Sequence, residues 1–288
     1  MYVLQWLAIF LAVPSTWLDK SRRFPLALLT LGYGAALVDG QVGAKALYAL
    51  VLLLVAAYGV APARPPVVRY AGHALFFVLA IALGMHALPG FSNPRVIDAQ
   101  CFTADALPYT MYLNLDKPLA AFWLMLVLPW VRGPQGPGAA LRAGAGAALA
   151  SSAVCMSLAV LLGTVAWAPK APTVGWLWLL NNLLIVSFTE EAFFRGYVQG
   201  GLSRLLASRR HGAHLALGGA ALLFGLTHFG GGWQWVVLAG VAGLGYGLAY
   251  RFGGLRAAIL AHFGLNTVHF FCFTYPMLKP AKVVALVC

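Results

Sequence analysis

The stretch SFTEEAFFRGYVQGG, Ser187 to Gly201, holds both glutamates of the 288-residue chain, Glu190 and Glu191, directly after the apolar run WLWLLNNLLIVSF. A charged side chain at the centre of a bilayer costs about 2.5–3.5 kcal/mol on insertion scales, so a carboxylate at such a depth signals a function. On a helix, Glu191 and Arg195 stand four residues apart on one face and can pair. Glu190 projects about 100° away from that face. A carboxylate in this setting suits a general acid or base.

Two further segments carry polar groups on apolar helices. FGLTH puts Phe224 and His228 on one face; HFGLN does the same for His262 and Asn266, and His269 continues that stripe seven residues on. An imidazole and an amide turned to a common point can donate to a developing oxyanion. Carboxylate, imidazole and a pair of donors together describe a hydrolytic site. Each group also has a plainer reading: an intramembrane histidine can be a packing residue with a satisfied hydrogen bond, and Glu191 with Arg195 can be a structural ion pair. A proton-coupled transporter using Glu190 is a further alternative.

The elements that must position these groups are membrane helices. The chain is 61% hydrophobic and 9% charged with a mean hydropathy of +0.83, too apolar for one water-soluble core. The expected fold is an all-α polytopic integral membrane protein, a bundle of about 8–10 transmembrane helices with the site inside it. Ten apolar segments recur, from Tyr2–Leu18 to the last three, Leu215–Phe229, Trp233–Tyr250 and Leu255–Tyr275. The first has its basic residues after it, so it is expected to stay as a span and not to be cleaved as a signal peptide. If the segments alternate, Lys20, Arg22, Arg23, Arg64, Arg69, Arg132, Arg142, Arg204, Arg209, Arg210, Arg251 and Arg256 fall on one side. Lys45, Arg95, Lys117, Lys170, Lys279 and Lys282 fall on the other, with four aspartates. This bias puts both termini outside the cytoplasm and accounts for the net charge of +12 without nucleic acid. Residues 1–140 are expected to form N-terminal helices with an outer loop at about 91–117, anchored at an interface by Tyr109 and Tyr112; residues 141–288 form the catalytic core. Cys101, Cys155, Cys272 and Cys288 show no metal-binding spacing. AGAGAALASS and GVAGLGYG put small residues at helical spacing, which lets helices pack closely.

The boxes EEAFFR, FGLTH and HFGLN, in that order, resemble the EExxxR, FxxxH and HxxxN pattern of the CAAX protease and bacteriocin-processing (Abi) family. The resemblance covers Trp176 to about Tyr275 and implies a glutamate-dependent intramembrane endopeptidase. It implies that Glu190 and His228 position and activate water, that His262 and Asn266 stabilise the oxyanion, and that Glu191 and Arg195 hold the geometry, with Phe224 and His269 in support. The implied partners are the lipid bilayer and a membrane-embedded or membrane-tethered peptide: a prepeptide, a C-terminal anchor or a lipidated tail. No cofactor is expected; if zinc were used, Glu190, His228 and His262 would hold it, although HExxH is absent. A non-catalytic peptide-binding or immunity-type protein on the same scaffold is the alternative. The Gly, Ala, Arg and Pro richness points to a bacterial inner membrane.

Depth raises one difficulty. His262 lies about 9 Å along a helix from Arg256, and Glu190 about 21 Å from Arg204. Equal depth for the two requires the glutamate helix to end near Gly200, with RGYVQGGLSRLLASRR then lying flat as an interfacial helix. The short segment around His228 must enter obliquely or stop within the protein.

Overall fold

The computed structural model describes residues 2–19, 21–133 and 136–279. Lys20, Lys282 and Cys288 lie outside the described residues. Among the described residues the protein is an all-α membrane protein of nine helices with one two-stranded sheet. The helices are α1 (Tyr2–Leu18), α2 (Arg23–Val38), α3 (Ala46–Gly59), α4 (Pro66–Gly84), α5 (Lys117–Val127), α6 (Pro137–Leu161), α7 (residues 175–205), α8 (Gly212–Leu226) and α9 (Trp233–Cys272). Three of them, α4, α6 and α9, are long and apolar enough to cross a membrane.

Contacts divide the chain into two compact units, Met1–Pro94 with Tyr112–Pro129, and Arg95–Met111 with Trp130–Cys288. In the first, Phe76 and Trp123 stack at 4.0 Å between ring centroids, and the Trp123 indole donates to the Leu53 carbonyl at 2.8 Å. Asp116, buried, caps α5 through the Lys117 amide and takes hydrogen bonds from His86 and Asn93.

The second unit carries all three boxes. Its most extensive helix pair is α6 with α9. The small-residue stripe of α6 permits this: a Cβ on Gly144 would lie 2.9 Å from Leu260 Cβ and 3.1 Å from the Ala257 carbonyl. The helix α9 has two limbs, 233–253 and 255–272, that fold back on each other at Gly254, whose φ of 71° only glycine adopts freely. The fold-back is evident from Tyr246 stacking on His262 at 4.7 Å, two residues equidistant from the bend, and from Trp235 meeting His269 at 5.8 Å farther along the limbs. Where the sequence suggested an interfacial loop, Arg95–Gln100 (β1) and Tyr109–Tyr112 (β2) form a sheet, and Tyr109 packs edge-on against Tyr275.

The depth difficulty has a different resolution from the one expected. The helix α7 does not end at Gly200 but continues to Leu205. Gly200 packs under Tyr250 and Trp130, with a would-be Cβ 2.9 Å from the Tyr250 hydroxyl. The glycine therefore serves close packing near the level of the Gly254 bend, and the helix simply runs past that level. The helix α8 does stop short, after 15 residues, and a 3-10 turn at Phe229–Gly231 leads back into α9.

Candidate active site

The glutamate helix α7 is not a regular α-helix. Two π-helical stretches, Asn182–Ser187 and Ala192–Gln199, bracket the short α-helical piece Phe188–Glu191. Such π segments widen the turn and recur at functional sites. Here the first one brings the Ser187 hydroxyl within 3.3 Å of the Asn182 side-chain oxygen.

At the centre is Glu191, fully buried. Its Oε1 accepts from Arg195 at 3.1 Å and lies 2.8 Å from His262 Nδ1, and neither Glu191 nor Arg195 exposes any side chain. Arg195 also donates to the Gly243 carbonyl at 3.1 Å, and Gln199 donates to the Gly247 carbonyl at 3.0 Å. Two polar side chains one turn apart thus bind two carbonyls one turn apart, which fixes α7 against α9. The glycines of GVAGLGYG make room for this: a Cβ at Gly243 would sit 3.1 Å from the Arg195 guanidinium, and one at Gly247 would sit 2.7 Å from Gln199 Oε1. These contacts engage both terminal nitrogens of Arg195, while its Nε is buried without a hydrogen-bond partner.

The second box closes the constellation through an aromatic ring. Phe224 lies edge-on to His262 (5.8 Å) and to His228 (4.8 Å), and the Arg195 guanidinium carbon sits 4.3 Å above its centroid. His228, half-buried, follows the end of α8, where its Nδ1 is 2.9 Å from the Phe224 carbonyl. A carbonyl only accepts, so Nδ1 carries the hydrogen and, in the neutral ring, Nε2 presents a lone pair. For His262 the contact to Glu191 occupies Nδ1, so only Nε2 could meet a ligand. Protonated, that nitrogen donates; neutral, it accepts.

Glu190 is half-buried and sits beside Glu191 on the short α-helical piece between the two π stretches. Asn266 donates to Asn182 Oδ1 at 3.4 Å, which leaves its second amide hydrogen available. His269 is carried elsewhere: its Nε2 faces the Thr274 carbonyl at 3.3 Å and its ring meets Tyr275 and Trp235. Glu191 Oε2 and Thr189 Oγ1 are buried without a hydrogen-bond partner. Among the described residues, no group of three or more His, Cys, Asp and Glu is arranged to hold a metal, the set Glu190, His228 and His262 included.

Three contributors escaped sequence reasoning. Asn182 and Gln199 have polar side chains on apolar stretches, a signal that was legible, whereas Tyr246 resembles any core aromatic.

A family model described as "Type II CAAX prenyl endopeptidase Rce1-like" matches residues 172–268, the segment that contains all three boxes. That match agrees with the resemblance to the CAAX protease family and supports peptidase activity on membrane-associated substrates. No curated protein and no solved structure matches the chain.

Proposed function

We propose that this protein is an intramembrane endopeptidase that hydrolyses a peptide bond of a membrane-associated substrate with activated water. In this reading Glu190 takes a proton from water while the Nε2 lone pair of His228 orients it. The hydroxide oxygen attacks the scissile carbonyl carbon, whose π electrons move onto oxygen. Protonated His262, with Glu191 as its counter-ion, and the free amide hydrogen of Asn266 donate to that oxyanion. Collapse breaks the C–N bond, and the proton held by Glu190 passes to the leaving amine. The orphaned Glu191 Oε2 and Thr189 Oγ1 add polar capacity at the same level.

The observation that carries the reading is the buried bridge from Arg195 through Glu191 to His262, which joins the first and third boxes, with Phe224 holding the second against both. A purely structural ion pair has no need of an imidazole on its carboxylate. No step is routed through zinc, since the donor set does not converge as ligands.

The test is turnover by the purified chain in proteoliposomes against a pool of N-acylated, internally quenched peptides. Glu190→Gln should lower cleavage by about a hundredfold or more, the scale of a lost general base, with an unchanged melting temperature. Equal turnover by the variant refutes the assignment; a protein that binds peptides and cleaves none would be the binding-type alternative.

A further inference from the structure

A cavity of about 680 Å³ lies in the second unit, lined among others by Asp105, Thr164, Gly231, Gln234, Trp235 and Lys279. Helix lengths explain its position. The 25 residues of α6 rise about 37 Å and the 15 of α8 about 22 Å. Above the end of α8 this shortfall leaves a well, floored by the turn that follows His228. Gly231, on that floor, donates to the His228 carbonyl at 3.0 Å.

The walls are held together by main-chain bonds among three connections. Leu278 donates to Thr164 (2.9 Å), Leu107 to Met277 (2.9 Å) and Lys279 to Asp105 (2.8 Å), so the segment 273–279 is strapped between the loop after α6 and the loop between β1 and β2. The charges of this unit then give the well a side. Arg132, Arg142, Arg204, Arg209, Arg210, Arg251 and Arg256 all fall at or near the opposite helix ends or at the Gly254 bend. The end with the cavity has Arg95, Lys170 and Lys279, accompanied by Asp98 and Asp105. By the positive-inside rule the arginine-rich end is cytoplasmic and the cavity opens on the other face.

We propose that this cavity is the docking chamber for an extracytoplasmic peptide segment of the substrate, delivered to His228 from the non-cytoplasmic side. The inference rests on the peptidase reading above and narrows its substrate to polypeptides with a translocated portion next to the membrane. The lining suits a peptide strand. Trp235 and Leu278 offer apolar wall, Asp105, Gln234, Thr164 and Lys279 offer both donors and acceptors, and the Trp235 indole nitrogen is buried without a hydrogen-bond partner. Gly231 permits the Trp235 ring to lie down on the floor, since a Cβ there would come within 2.8 Å of it.

The experiment uses the full chain carrying Gln234→Cys, with Thr164→Cys as a second variant and Arg209→Cys as the control for the opposite face. A membrane-impermeant maleimide should label the first two above wild type in right-side-out vesicles and the third only in inverted ones; the reverse pattern overturns the proposal. Photocrosslinking of a benzophenone-bearing, N-acylated peptide pool should map to residues 229–235 and 274–279. It should drop about tenfold or more once a bulky maleimide is attached to the thiol of the Gln234→Cys variant. Crosslinking that is absent, or indifferent to that block, overturns the chamber. Because crosslinking needs no turnover, peptides captured but never cleaved would sink the peptidase reading and leave the chamber standing.

Discussion

Removing the Glu191 carboxylate takes from the buried guanidinium of Arg195 the carboxylate that pairs with it. Glu191 Oε1 serves two partners, and without it Arg195 keeps the Gly243 carbonyl at 3.1 Å and the faces of Phe224 and Tyr246, in a site that exposes none of its side chain. Breaking a buried pair by deleting one partner costs roughly 3–5 kcal/mol, because a charge is left uncompensated in low dielectric. At about 2–4 °C per kcal/mol for a chain of comparable size, Glu191→Ala should lower the melting temperature by roughly 6–20 °C. The diagnostic comparison is the double variant Glu191→Leu with Arg195→Met, which removes both charges while keeping volume. It should recover most of the loss, with a coupling of about 2 kcal/mol or more, because apolar replacement of a whole buried pair is often neutral. Thermal unfolding of wild type, Glu191→Leu, Arg195→Met and the double variant in one detergent closes the cycle. Additive shifts would refute the claim that the two residues form one electrostatic unit, and so would an unperturbed Glu191→Ala. The double variant should nevertheless cleave nothing, since His262 has lost its partner in it; melting and turnover thus part company, which a structural ion pair alone would not produce.

Three further outcomes are expected. Asn182→Ala should lower kcat by about tenfold or more while leaving KM and the melting temperature near wild type, because it frees the Asn266 amide to rotate; a matching rise in KM would count against a positioning role. Gly247→Ala should cost about 1–3 kcal/mol in thermal unfolding, since its Cβ would collide with Gln199 and Leu217. Treatment with 1,10-phenanthroline should leave peptide cleavage unchanged, and loss of activity restored by zinc would overturn the metal-free mechanism.

What could be read from the sequence was what repeats locally. Glu191 with Arg195, Phe224 with His228 and His262 with Asn266 all stand four residues apart, so helical periodicity alone paired them, and the structure keeps the first pair at 3.1 Å. Asn182 and Ser187 stand five apart, about 140° from each other on an α-helix, and no periodic template would join them. The π turn stacks residues at that spacing and makes the contact. Glu191 and His262, 71 residues apart, meet only because α9 reverses at a single glycine, and the sequence marks that reversal merely as a Gly-Gly pair between two arginines.

The link between α7 and α9 shows why the three boxes depend on residues outside them. Arg195 to Gly243 and Gln199 to Gly247 both span 48 positions, so the two bonds form one rung-like register between the helices. A slip of one residue would turn Arg195 about 100° away from its carbonyl and draw Glu191 off His262. Gln199 belongs to none of the three boxes, yet it opposes that slip at a point beyond the charged pair. Its replacement by Leu should therefore weaken turnover through His262, with the deficit growing as temperature loosens the helix pair, while the same change on a lipid-facing position of α7 leaves the profile flat.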